Sequence, residues 1–180
     1  MTIADRKLHE NIAEYVLFVW QMEDLARAVK FNPDAVRSMY EGASDEVTEA
    51  EVNWFTALCN LMKKEGLEKK GHIPDLAEIM KELFYLHSNL LTIIKDQKYL
   101  DFHQTAQPIL SEFLVKTGST TSHEVEAYLV ALYGMLILKL KSEEISEGTK
   151  HAMESFSKVV AYLSQEYHKM KRGEMNVSLN

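Results

Sequence analysis

The stretch LHENIAEYVLFVWQMEDLARAV, residues 8–29, decides the fold class. Its apolar residues recur at Leu8, Ile12, Tyr15, Val19, Met22, Ala26 and Val29, in alternating steps of four and three. That rhythm is one stripe of an α-helix, because side chains three and four apart stack on the same helical face. In the middle of the stretch, Tyr15 to Trp20 is apolar on every side, which a one-faced surface helix does not explain. Several neighbouring helices, or a second subunit, must cover it.

The same rhythm continues downstream. Asn32 and Pro33 supply an N-cap and a proline at the first helical position, so a short helix to about Glu41 is expected. Gly42 to Glu46 reads as a turn. Thr48 and Glu51 have the spacing of a capping box before Val52, Phe55, Cys59 and Met62, and Gly66 suits a left-handed stop. From Pro74 to about Lys95, Leu76, Met80, Leu83, Leu90 and Ile94 share a stripe. Tyr99 to Lys116 follows through Phe102, Ala106, Ile109 and Phe113, with a kink or break expected near Gln107 because Pro108 cannot donate to the helical ladder. Gly118 closes that element. Thr121 with Glu124 offers a second capping box before Val125, Leu129, Leu132, Leu136 and Leu140, a helix in which Gly134 would permit close approach of a neighbour. The last helix, Ile145 to Met170, points Phe156, Val160, Leu163, Tyr167 and Met170 inward and carries Lys169, Lys171 and Arg172 at its negative dipole end. The expected architecture is therefore all-α: a single-domain bundle of six or seven helices over residues 1–173, mostly antiparallel, with two nearly all-apolar central helices and a frayed tail over 174–180.

Composition agrees. Of 180 residues 46% are hydrophobic while Gly accounts for 7 and Pro for 3, too few for a turn-dense β protein or a disordered chain. A net charge of -7 repels phosphate backbones, which excludes nucleic acid as a principal partner. The single Cys59 allows neither an intramolecular disulfide nor a thiolate zinc cage, and the N-terminus lacks the basic flank and apolar run of a secretion signal. A cytoplasmic location is the expectation. The most apolar run, AYLVALYGMLIL at 127–138, is shorter than the roughly 18–20 residues a membrane crossing needs, so it reads as a buried helix and no membrane partner is expected.

Chemical motifs are scarce. There is no GxGxxG or Walker spacing, no Glu three residues before any of the seven histidines, and no pair of histidines four apart. No catalytic residue, cofactor or metal site is assigned on this basis; a metal site would have to be assembled from distant helices. Three features remain. Trp20, Glu23, Asp24 and Arg27 lie within two turns and read either as an i,i+4 ion pair beside an aromatic or as one edge of a ligand pocket. His87 falls on the stripe of Leu76, Met80, Leu83, Leu90 and Ile94, where packing alone would place an aliphatic residue; it is either a core histidine satisfied internally or a ligand contact, more so if Glu23 or Asp24 is its partner. Tyr15, Trp20, Trp54, Tyr85, Tyr128 and Tyr133 fit a core or the wall of a cleft.

Ile12-Ala13-Glu14-Tyr15, Trp20 to Leu25 with Arg27, Lys64-Glu65-Gly66, Gly71-His72 and Leu86-His87 to Leu90-Leu91 resemble an uncharacterised family of Bacteroidetes proteins, a domain of unknown function of about this length. The resemblance covers nearly the whole chain. It implies a bacterial, cytoplasmic, helical protein and supplies no activity.

The first functional expectation is a non-enzymatic interaction or scaffold protein that self-associates or takes a protein partner through its surplus apolar surface. The alternative is a small-molecule-binding bundle with an aromatic-lined pocket, its polar contacts drawn from Trp20, Glu23, Asp24, Arg27 and His87. An enzyme ranks below both, since nothing in the linear pattern requires convergent titratable groups.

Overall fold

The computed structural model describes residues 1–118, 120–121 and 123–175, and among them every regular element is helical. The helices are α1 (Ile3–Glu10), α2 (Ile12–Ala28), a 3-10 helix (Pro33–Tyr40), α3 (Asp45–Lys64), α4 (Pro74–Thr92), α5 (Gln97–Thr117), α6 (Glu124–Leu140) and α7 (Glu147–Lys171). Eight elements stand where six or seven were expected. The extra one arises at Asn11, whose extended backbone interrupts the 8–29 stretch while its side chain accepts from the N–H groups of Ala13 and Glu14. A side-chain acceptor offered to the first amides of α2 makes a new start cheaper than continuing the helix. Leu8, set off from the α2 stripe by this break, is 37% exposed.

The chain forms two compact units, Met1–Ile79 and Met80–Asn180, the division falling inside α4. In the first, α2 packs on α1 and on α3, and α3 also packs on the 3-10 helix. The all-apolar turn of α2 is covered in part: Val16, Val19 and Trp20 are buried, whereas Tyr15, Leu17 and Phe18 are half-buried. Phe18 meets Trp54 of α3 with ring centres 5.5 Å apart. Helix α3 starts a turn earlier than Thr48, at the N-cap Ser44 whose Oγ accepts from Val47 N–H. Glu51 therefore makes no capping box; it is buried and accepts from the Ile3 N–H at 2.6 Å, fixing α1 to α3.

In the second unit α7 packs on α5 and α6. Tyr99, Ala106 and Leu110 of α5, Tyr128 and Leu129 of α6 and Phe156, Val159 and Leu163 of α7 are buried. Helix α5 runs unbroken through Pro108. The carbonyl that loses its donor belongs to Gln104, an exposed residue, so the lost bond is not a buried one. Gly66 and Gly118 adopt φ of 69° and 62°, the left-handed stops expected of them. Helix α6 departs from expectation at both ends. Its N-cap is His123 rather than Thr121, and of its expected stripe only Val125 and Leu129 are buried, with Leu140 59% exposed. Among the described residues a Cβ at Gly134 would meet nothing within 4 Å, so none of them approaches closely there. Among the described residues no helix is long and apolar enough to cross a membrane. Of the expected frayed tail, residues 176–180 lie outside the described residues, while Glu174 is paired with Arg172 through two bonds of 2.8 and 2.7 Å.

Candidate metal centre

His87 is held by α4, His103 by α5 and Glu124 is the first residue of α6. These three bring one donor atom each to within 4.8 Å of one another. The Nε2 of His87 and the Nε2 of His103 both stand 3.4 Å from the same carboxylate oxygen, Oε2 of Glu124. Zinc holds imidazole nitrogen and carboxylate oxygen at roughly 2.0–2.2 Å, so neighbouring corners of its tetrahedron lie about 3.3 Å apart. The two observed separations match that edge.

The other nitrogen of each imidazole is also engaged. Nδ1 of His87 is 2.7 Å from the Tyr99 hydroxyl and Nδ1 of His103 is 3.3 Å from the Tyr128 hydroxyl. Burial raises both tyrosine hydroxyls above their ordinary value, with the Glu124 carboxylate adding to each, so both keep their protons. Metal-binding histidines are commonly oriented in this way, by a hydrogen bond to the nitrogen facing away from the ion. Tyr99 is itself fixed: its ring stacks on Tyr162, whose hydroxyl donates to Asp96 Oδ2 at 2.9 Å, and Asp96 caps α5 through Tyr99 N–H.

Burial first, then the proximity of His103 and His123, pushes the His87 imidazole down to about 4. It is neutral at physiological pH, the state a metal ligand requires. The two imidazole side chains are 6% and 14% exposed and the Glu124 side chain 41%, so the carboxylate forms the solvent side of the cluster. His123 borders it, its ring centre 5.3 Å from that of His87 and 3.9 Å from that of Phe84.

The residues singled out on α2 make a different arrangement. Glu23, fully buried, accepts from His72 Nδ1 at 2.5 Å and from Ile73 N–H at 2.8 Å, while the Trp20 ring stacks on His72. Arg27 pairs with Asp24 at 3.0 Å and donates to the carbonyls of Leu67 and Gly71. Trp20, Glu23 and Arg27 thus clamp the loop between α3 and α4, with Asp24 pairing Arg27, and in place of an i,i+4 pair Glu23 and Arg27 each bond to that loop. His87 finds its partners in Tyr99, His103 and Glu124 instead of Glu23 or Asp24. A cleft of about 270 Å³ near Leu86 is lined mainly by aliphatic and thioether side chains, with Tyr85 as its aromatic.

Sequence reasoning missed His103, Glu124 and Tyr99 as site residues, and named Tyr128 only among the aromatics of a core or cleft wall. The signal for His103 was present: it lies four residues after Tyr99 and three before Ala106, on the face whose Tyr99, Ala106 and Leu110 are buried. Glu124 was misread as the third residue of a helix capped by Thr121; as the first residue its carboxylate turns to the histidines.

No curated protein and no solved structure matches the chain. A family model matches residues 1–174, and the chain belongs to that family, described as a domain of unknown function (DUF4924).

Proposed function

We propose that this chain is a binding domain for a divalent transition-metal ion, held by Nε2 of His87, Nε2 of His103 and Oε2 of Glu124. The observation that carries the reading is the approach of two oriented imidazoles to one carboxylate oxygen, at the spacing of adjacent corners around a small ion. Two nitrogens and one oxygen suit zinc, iron, cobalt or nickel better than magnesium or calcium, which favour all-oxygen sets. In this reading the protein works in the cytoplasm, where the ion is drawn from the exchangeable metal pool.

The test is calorimetric titration of chelator-treated protein with Zn(II). One equivalent should bind, and the double variant H103N/E124Q should lose it. Binding weaker than about 0.1 mM, or binding that survives the double substitution, would end the proposal.

Self-association is a second reading, supported by the apolar residues Val130, Leu138 and Leu140 that α6 leaves exposed. Light scattering across micromolar concentrations checks it, and a strict monomer throughout counts against it.

A further inference from the structure

We infer that an ion held by His87, His103 and Glu124 keeps an exchangeable coordination position that takes a small monodentate anion, hydroxide included. This rests on the metal reading above and asks what kind of centre it is. Structural zinc sites are closed by four protein donors, whereas sites that exchange ligands take three and leave a position to solvent. Among the described residues the grouped donors number three.

His123 neighbours the cluster and could supply a fourth, but its existing bond opposes it. Its Nδ1 accepts from the Val125 N–H at 3.2 Å as the N-cap of α6. A neutral imidazole that accepts at Nδ1 carries its proton at Nε2. Binding an ion through Nε2 would move that proton to Nδ1 and break the cap. Stacking on Phe84, 3.9 Å between ring centres at an interplanar angle of 10°, fixes the ring further. His123 therefore borders the centre as an N–H donor.

Charge and exposure give the ligand class. A dication bound by one carboxylate and two neutral imidazoles retains a net charge of about +1, which favours an anion over a neutral fourth ligand. The approach is on the side of Glu124, whose side chain is 41% exposed while those of His87 and His103 are 6% and 14%.

The test loads wild-type protein and H123N with Co(II) and follows the visible bands during an azide titration. Asn serves as an N-cap as well as any residue, so H123N keeps the helix start while removing the imidazole. The expected result is that both proteins give the same Co(II) bands and that azide shifts them saturably in both. Bands in wild type that azide leaves unmoved would show a closed centre and overturn the inference. So would altered starting bands in H123N together with an azide response confined to that variant, which would make His123 the fourth ligand. Absence of Co(II) bands in wild type would instead sink the metal reading, and this inference with it. If H123N fails to fold, as judged by circular dichroism, the wild-type titration decides the matter alone.

Discussion

Replacing Tyr99 by Phe separates a positioning role from a structural one. The substitution keeps the buried ring and its stacking on Tyr162 but deletes the hydroxyl that lies 2.7 Å from His87 Nδ1. Tyr99 and His87 are 0% and 4% exposed, so no bulk water replaces the lost partner. A buried polar atom left unpaired costs about 1–3 kcal/mol, and metal-free Y99F should lose stability by that amount in urea unfolding. The same hydroxyl orients His87 towards the ion; losing such a group typically weakens metal affinity by about 10–100-fold, equivalent to roughly 1.4–2.7 kcal/mol. Y128F should follow with a smaller effect, since its bond to His103 is 3.3 Å long. Y162F is the control: it removes the bond to Asp96, one step further from the histidine, and should lower stability while leaving Zn(II) affinity within about twofold. Calorimetric dissociation constants for the three variants, measured alongside their unfolding curves, read both quantities. Y99F that is destabilised yet binds Zn(II) as tightly as wild type would refute the positioning argument.

Glu23→Ala should cost about 2 kcal/mol, because it strips His72 and the Ile73 amide of a buried acceptor, and hydrogen exchange at the Ile73 amide should accelerate; unchanged protection there would contradict the clamp. For Glu82, burial raises the carboxyl, but hydrogen bonds from Lys171 and Tyr167 outweigh it and hold the group below its ordinary value of 4.5. A depressed carboxyl stabilises the fold above that value and loses its contribution as pH falls through the lowered one, so the stability gap between wild type and E82Q should close on acidification; a gap constant from pH 7 to pH 3 would contradict it. Leu140→Glu should change stability by less than about 0.5 kcal/mol because Leu140 is 59% exposed, and a large loss in thermal unfolding would return it to the core stripe where periodicity put it.

The helical class was readable because burial imposes the 3.6-residue period wherever a core exists, and the expected stripes are buried at Ile12, Val19, Met22 and Ala26 of α2, at Val52, Phe55, Cys59 and Met62 of α3, at Leu76, Leu83 and Leu90 of α4 and at Phe156, Val160, Leu163 and Tyr167 of α7. Boundaries were readable where one residue type has a single strong use, as at Asn32 with Pro33 and at the stops Gly66 and Gly118. They were missed where two side chains compete to start a helix. Ser44 prevails over Thr48 and His123 over Thr121, while Asn11 starts a helix inside an apolar rhythm that does not pause for it. The candidate centre was legible only as an anomaly, one histidine on an oily stripe. Its other donors belong to helices whose mutual placement is a property of packing, and spacing along the chain carries no trace of it.

Because the three donors ride on α4, α5 and α6, they converge only while those helices stay docked within the second unit. Parting of the helices would therefore release a captured ion even without direct attack on the exposed Glu124 side, and the part of chelator stripping whose rate is independent of chelator concentration becomes a clock for that local opening.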